Sequence, residues 1–112
     1  MSVKLININD IKNASDKLAD VVIKSPFEKN LNLSEKFNSN IYLKREDLQK
    51  VRSFKIRGAL NKILSLSKSD RNKGIVCASA GNHAQGFALS CNLLEIEGNV
   101  FMPIKTTKQK IR

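Results

Sequence analysis

The feature that most constrains the fold is a strand–helix–strand pattern in the second half of the chain. Residues 74–79 form a continuous apolar run of strand length, as expected for a strand buried in a parallel sheet. A small-residue turn follows, then a helical pattern over residues 82–94 and a second strand over residues 100–102, ended by Pro103. Two parallel strands joined by a helix form a βαβ unit with a right-handed crossover. The predicted fold class is therefore α/β.

The packing face predicted for the helix of this unit follows from the spacing of its apolar residues, which are Ala84, Phe87, Ala88, Cys91 and Leu94. In the first half, apolar residues at three- and four-residue steps predict a helix that begins at Asn9 or Asp10 and ends before Pro26. Residues 27–40 are rich in Asn and Ser and predict a loop with one helical turn at 34–37.

The middle of the chain predicts a short strand and a second helix. Residues 41–44 have the β-branched and aromatic content of a strand. Ser53 is predicted to cap a helix that runs to about Leu66, and residues 67–73 form a polar break. The pattern therefore gives three strands and three helices, too few to cover the edges of a parallel sheet. We expect a truncated protein.

Composition limits the class of protein. With 112 residues, 41% hydrophobic and 27% charged, the chain is of ordinary globular type. No apolar run approaches the ~20 residues of a membrane span, and the first residues have no signal-peptide pattern. We expect a cytoplasmic location and no contact with a membrane.

The net charge of +10 raises the possibility of a polyanion partner. The Lys and Arg residues are spread along the chain, with the densest basic run, Lys105 to Arg112, at the C-terminal end. Five Phe, one Tyr and no Trp provide few stacking platforms for bases. We expect no nucleic-acid partner, although a non-enzymatic basic binding module remains the alternative from another class.

The cysteines and the histidine do not form a metal site. Cys77 and Cys91 lie fourteen residues apart, there is no C-x-x-C pair, and His83 is the single histidine. Two buried free thiols are expected, and no metal.

Two segments could carry chemistry. The first, residues 53–59, places Lys55 in the opening turn of the predicted second helix. A lysine amine becomes nucleophilic when burial or neighbouring cations favour its neutral form. Its sequence neighbours include several cations, Lys44, Arg45, Arg52 and Arg57, and the positive end of its own helix adds to their effect.

The second segment, residues 78–86, is a small-residue turn between the predicted strand and helix. It matches neither a Rossmann fingerprint nor a P-loop. Gly81 is predicted to adopt a positive φ and Asn82 to cap the helix. The free N–H groups of such a helix start can bind an anion, here a carboxylate. His83, beside this turn, invites an acid–base role.

Both segments, together with residues 42–49, resemble the threonine/serine dehydratase family, whose members use pyridoxal phosphate (PLP) and have the tryptophan synthase beta-like architecture of fold type II. The resemblance implies that Lys55 carries the cofactor and is the catalytic residue, with Phe54 packed beside the cofactor ring and Asn82 bonded to its ring hydroxyl. The residues implied to hold the substrate carboxylate are Ser79, Gly81, Asn82 and His83. The resemblance also implies that the backbone and the position of His83 matter more than the titration of its side chain.

The reaction implied by the resemblance is an α,β-elimination that converts L-threonine to 2-oxobutanoate and ammonia. Ala80 stands where relatives that racemise serine carry a serine as a proton donor, which favours elimination. A serine dehydratase or serine racemase of the same family remains an alternative. The small-molecule substrate would be L-threonine or L-serine, and the full-length enzyme is expected to be a homo-oligomer.

The resemblance covers only part of the family's protein. The family's glycine-rich phosphate-binding loop and the residue that bonds the pyridine nitrogen lie further towards the C-terminus and do not occur in these residues. By analogy, residues 1–60 would begin the large PLP-binding domain and residues 70–112 the small domain, both incomplete. We expect the isolated chain to be inactive. A departure at Thr107-Lys108, where the family usually has Thr-Pro, makes the last residues the least certain part of the match.

Overall fold

The computed structural model describes residues 5–111. Residues 1–4 and Arg112, the last residue of the basic C-terminal run, lie outside this part. In chain order the elements are α1 (Ile8–Leu18), β1 (Phe27–Lys29), α2 (Leu31–Lys36), β2 (Tyr42–Lys44), a 3₁₀ turn (Glu46–Leu48), α3 (Lys55–Leu64), α4 (Lys68–Asn72), β3 (Ile75–Ala78), α5 (Asn82–Leu93), β4 (Gly98–Phe101) and α6 (Lys108–Ile111). None of the helices described is long and apolar enough to cross a membrane.

The predicted βαβ unit is present. Strands β3 and β4 pair in parallel, with Ile75 opposite Gly98 and Ala78 opposite Phe101, and α5 connects them. This confirms the α/β class. The expectation that the first strand is buried is only half right, because Val76 is 64% exposed while Ile75 and its neighbours on the other face pack against α5.

A second, separate sheet lies in the first half of the described chain. Strand β1 pairs antiparallel with the predicted strand β2, with Phe27 opposite Lys44. The loop predicted over residues 27–40 is therefore wrong for β1 and for the first half of α2, whereas the helical turn predicted at 34–37 covers its second half. The side chain of Asn30 accepts a hydrogen bond from Leu33 N at 2.8 Å and starts α2, so an Asn read as a loop former is a helix cap.

The core lies on both sides of α3. Two clusters of buried side chains form it, one made by Leu18, Ile56 and Leu60 and the other by Ile63, Phe87 and Cys91. Complete burial of such an aliphatic or aromatic side chain contributes about 1.5–3 kcal/mol. These clusters fix α3 between α1 and α5. The face predicted for α5 is right except at Ala88, which is exposed.

The helix α1 begins and ends earlier than the sequence predicts. Its N-cap is Asn7, whose side chain and that of Asp10 form a reciprocal capping box. It ends at Leu18, well before Pro26. Beyond this end, the side-chain amide of Gln49 bonds both Ile23 N at 3.0 Å and Ile23 O at 2.7 Å, so the backbone groups of Ile23 are not available to a helix that continues to Pro26.

Two cap assignments made from the sequence need correction, and a helix occurs in a stretch predicted as a break. Ser53 makes no cap hydrogen bond to α3, whose N-cap is Phe54. The break at residues 67–73 contains α4, whose first turn Ser67 caps by accepting from Asp70 N at 3.0 Å. The N-cap of α5 is Gly81 and not Asn82, which is the first residue of the helix.

Candidate functional site

Lys55 is the first residue of α3 and follows a turn with an unusual backbone. Arg52 in that turn has φ of 56°, in the left-handed region that non-glycine residues seldom adopt. Lys55 is exposed, and its Nζ lies 5.3 Å from the centroid of the Phe54 ring. The amine is thus presented at the surface beside an aromatic ring that is itself 58% exposed.

The cations predicted to surround Lys55 are largely engaged with other groups. Lys44 Nζ donates to Ser25 O at 2.5 Å. Arg45 forms an ion pair with Asp47, with Arg45 Nη2 2.8 Å from Asp47 Oδ2. The guanidinium of Arg57 pairs with Glu46 (described below). The concentration of positive charge expected from the sequence is therefore partly neutralised, and Lys55 itself forms no ion pair with any residue that the structure describes.

The turn between β3 and α5 is organised by Ser79. Its Oγ accepts hydrogen bonds from Gly81 N at 3.2 Å and from Ala84 N at 3.3 Å, so Ser79 performs the capping that the sequence assigned to Asn82. The φ of Gly81 is −141°, not positive as predicted. The two hydrogen bonds to Ser79 Oγ, and not a glycine with positive φ, therefore stabilise the shape of this turn.

The first turn of α5 has free backbone donors. Gln85 N donates to Gly81 O and Ala84 N donates to Ser79, whereas the N–H groups of Asn82 and His83 have no acceptor within residues 5–111. Unpaired N–H groups and the helix dipole together favour a bound anion. Asn82 is exposed and His83 half-buried at this point, so the turn can receive a carboxylate.

Gly86 brings the two candidate segments together. A Cβ placed on Gly86 would lie 3.0 Å from Lys55 C and from Ile56 N, and 3.1 Å from Lys55 O. The backbone of α5 is thus in direct contact with the residue that bears the amine. Ser90 Oγ, fully buried, donates to Gly86 O at 2.7 Å one turn later and holds the helix at this contact.

A polar cluster links the first turn of α3 to the preceding segment. Arg57 donates to Glu46 twice, from Nε to Oε2 at 2.8 Å and from Nη2 to Oε1 at 2.7 Å. Ser25 Oγ and Gln49 Nε2 also donate to Glu46, at 2.5 and 3.4 Å. Donation from Arg57 above all, helped by Ser25, lowers the pKa of the Glu46 carboxyl to about 2. Glu46 is therefore ionised at neutral pH.

The sequence reasoning missed the roles of Gly86 and of Glu46. A glycine inside a helix costs about 1 kcal/mol relative to alanine, so an internal glycine in α5 was a signal of close packing. Nothing local marked Glu46, because its partner Arg57 is eleven residues away in sequence.

Within the described residues, the His, Cys, Asp and Glu side chains do not cluster into a metal site. No group of three or more His, Cys, Asp or Glu side chains that could hold a metal ion occurs in the described part of the chain. Both cysteines are free, as expected, but only Cys91 is buried, whereas Cys77 is half-buried. Desolvation raises the pKa values of both thiols.

The sequence of this chain matches a known protein family and curated proteins over most of its length. The family model described as "Pyridoxal-phosphate dependent enzyme" matches residues 18–112. The chain is 57% identical over 106 residues to L-threonine dehydratase biosynthetic IlvA of Halalkalibacterium halodurans, covering 95% of this chain and 26% of that protein. It is 54% identical over 107 residues to the Bacillus subtilis protein of the same name, covering 96% and 25%.

Solved structures agree with this match. Threonine deaminase isoform 2 from Solanum lycopersicum superimposes with a TM-score of 0.78 at 40% identity, covering 95% of this chain and 31% of that one. Maize serine racemase superimposes with a TM-score of 0.89 at 30% identity, covering 96% and 33%. The chain thus spans about a quarter of the length of the curated relatives that it matches. The resemblance noted from the sequence is confirmed, and the chain belongs to the pyridoxal-phosphate dependent enzyme family.

Proposed function

We propose that the full-length protein containing this chain converts L-threonine to 2-oxobutanoate and ammonia by PLP-dependent elimination. The observation that carries this proposal is the backbone contact between Gly86 and Lys55. It places the amine-bearing turn of α3 against a helix whose own first turn offers free N–H groups. A lysine whose backbone packs against the helix that bears an anion-binding turn suits an amino-acid substrate with a carboxylate.

The residues around Lys55 fit PLP. The exposed ring of Phe54 beside the amine can pack against a planar pyridine ring. Ser53 is 7% exposed, and its Oγ has no hydrogen-bond partner among the described residues. A buried hydroxyl without a partner is uncommon in a folded protein, and a polar cofactor group would supply one. Lys55 would carry the cofactor, with Phe54 and Asn82 as further cofactor contacts.

The chemistry divides between the cofactor and the protein. When bound, PLP supplies a sink for the electron pair that remains on the substrate α carbon after its proton is removed. The Lys55 amine, freed when the substrate amino group takes its place, would take that proton; the β-hydroxyl would leave, and the α proton and the hydroxide together make up one water. The enamine released would tautomerise to an imine, which one water molecule hydrolyses to 2-oxobutanoate and ammonia. The N–H groups of Asn82 and His83, with Ser79 and Gly81 shaping the turn, hold the substrate carboxylate and so fix the orientation of the α C–H bond.

Elimination is preferred over racemisation in this proposal because of Ala80. Racemisation needs a second proton donor on the opposite face of the cofactor, and the half-buried Ala80 carries only a methyl group. The structural similarity to maize serine racemase keeps a racemase or a serine dehydratase as the second candidate. Turnover of L-threonine, L-serine and D-serine by the full-length protein separates the three.

The remaining features of the proposal concern the whole protein. Residues 1–60 and 70–112 would begin a large and a small domain, the protein would be cytoplasmic, and it would assemble as a homo-oligomer. Neither nucleic acid nor membrane is a proposed partner.

The 112-residue chain provides a direct test of the cofactor site. The chain is incubated with PLP, reduced with borohydride, digested and mapped by mass spectrometry, with Lys55→Ala as the control. Selective labelling of Lys55 supports the proposal. Labelling scattered over Lys62 and the other exposed lysines would refute it and favour a basic binding module.

A further inference from the structure

The first turn of α3 lacks the support that a helix start normally has. Its N-cap, Phe54, makes no side-chain hydrogen bond, and the turn contains no acidic residue. It contains instead Lys55 and Arg57, whose positive charges lie at the positive end of the helix dipole. Within α3, Ile56 packs into the core, but no side-chain cap and no acidic residue stabilises the turn that presents the Lys55 amine.

Glu46 supplies the missing negative charge from outside the helix, through the Arg57 side chain. Its side chain is 14% exposed, and it receives two hydrogen bonds from Arg57 in a parallel fork. The charge of Glu46 offsets that of Arg57 at the helix start. The fork also fixes the orientation of the first turn, because both guanidinium donors and both carboxylate oxygens take part.

The Glu46 side chain is held in place by hydrogen bonds from two other residues. Gln49 is 1% exposed and is bonded to Ile23 N and Ile23 O, and its Nε2 also donates to Glu46. Ser25 Oγ donates to the other oxygen of Glu46. Three stretches of chain thus meet at Glu46: the connection after α1, the 3₁₀ turn and the first turn of α3.

We infer that Glu46 is a positioning residue for Lys55: its pair with Arg57 holds the first turn of α3 and thereby keeps the Lys55 backbone against Gly86. Glu46 touches neither substrate nor cofactor and acts through Arg57. The inference deepens the proposed function and rests on it for the role of Lys55, whereas the mechanical link from Glu46 to the first turn stands independently.

The neighbouring ion pair provides a matched control. Asp47 pairs with Arg45 through the same two-bond fork, at 2.9 and 2.8 Å, but both side chains are exposed and neither belongs to α3. Glu46→Gln and Asp47→Asn are therefore the same chemical change at adjacent residues. Only the first removes a support of the Lys55 turn.

The experiment measures two properties of the full 112-residue chain. Amide hydrogen exchange reports the first turn of α3, and borohydride trapping with PLP reports the fraction of label at Lys55. For Glu46→Gln we expect roughly tenfold faster exchange of the Arg57 amide, which donates to Phe54 O at 3.1 Å. This corresponds to about 1.4 kcal/mol, and we expect a several-fold loss of Lys55 labelling with it. Asp47→Asn should change neither. Arg57→Lys, which keeps the charge but not the fork, should give intermediate values and covers a failure of Glu46→Gln to fold.

The possible results distinguish the positioning role of Glu46 from the proposed role of Lys55 in binding PLP. Equal behaviour of Glu46→Gln and Asp47→Asn would overturn the positioning role, as would faster exchange with unchanged labelling of Lys55. If the unmodified chain shows no selective label at Lys55, the proposed function fails. The exchange comparison then still decides whether Glu46 holds the turn.

Discussion

The contact between Gly86 and Lys55 makes Gly86→Ala the most informative single substitution in this chain. The new Cβ would lie 3.0 Å from Lys55 C and from Ile56 N, whereas carbon atoms in favourable contact are about 3.5–4.0 Å apart. The first turn of α3 and the second turn of α5 must therefore separate by about 0.5 Å or more. Both groups met by the methyl are backbone, so no side-chain rotation relieves the contact.

Two opposing effects determine how much Gly86→Ala changes the free energy of unfolding. Overpacking of this kind costs about 1–3 kcal/mol, and replacement of an internal helix glycine by alanine gains about 1 kcal/mol. We expect Gly86→Ala to lower the free energy of unfolding by about 0–2 kcal/mol. The larger effect should be on Lys55, whose selective labelling by PLP depends on the displaced turn.

Gly58→Ala is the matched control, since Gly58 is also inside a helix but has nothing within 4 Å of its Cβ position. It should raise the free energy of unfolding by about 1 kcal/mol. At about 4 °C per kcal/mol for a chain of this size, thermal unfolding should separate the two variants by roughly 4–12 °C. If Gly86→Ala raises the melting temperature as much as Gly58→Ala does, the close contact of the two helices is wrong.

Three further predictions follow from other residues. Gly98→Ala places a Cβ 2.7 Å from Cys91 Sγ, and should lower the melting temperature through an overpacking cost of about 1–3 kcal/mol; an unchanged melting curve would contradict this. Arg52→Gly should raise the free energy of unfolding, measured in urea, by about 1 kcal/mol because the left-handed φ of 56° suits glycine, and a loss of stability would show that the Arg52 side chain matters more than its backbone. The pKa of Glu46 is lowered from 4.5 to about 2, so its pair with Arg57 stabilises the fold fully above about pH 4.5. This contribution is on the order of 1 kcal/mol after solvent screening of the partly exposed Arg57 and should be lost as the pH falls towards 2. The free energy of unfolding in urea should therefore depend less on pH across this range in Glu46→Gln than in the unmodified chain, and an equal dependence would refute the assignment.

Local pattern was enough to predict the elements that build the site. The apolar runs of β3 and β4 and the helical spacing of α5 lie within a short stretch of chain, so their pairing needs no distant partner. The motif around Lys55 likewise placed it in the opening turn of α3, as found.

The errors occurred where a distant or polar partner decides the structure. Strand β1 exists because β2 pairs with it, and α1 ends early where Gln49 takes the backbone of Ile23. Asn30 and Ser67 start helices in stretches that composition assigns to loops. The fork between Glu46 and Arg57 connects two stretches of ordinary charged surface sequence, and a charge count alone cannot find it.

The Gly86 contact also restricts how the protein can move. It presses the residue that bears the amine onto the helix whose first turn would receive the substrate carboxylate. The two domains proposed for the whole protein divide between residues 60 and 70, so Lys55 would belong to the large domain and Gly86 to the small one, and their contact would lie where the two domains meet. A hinge between residues 60 and 70 would pull this contact apart. A motion of the two proposed domains about such a hinge would therefore change the separation between the turn that bears Lys55 and the first turn of α5.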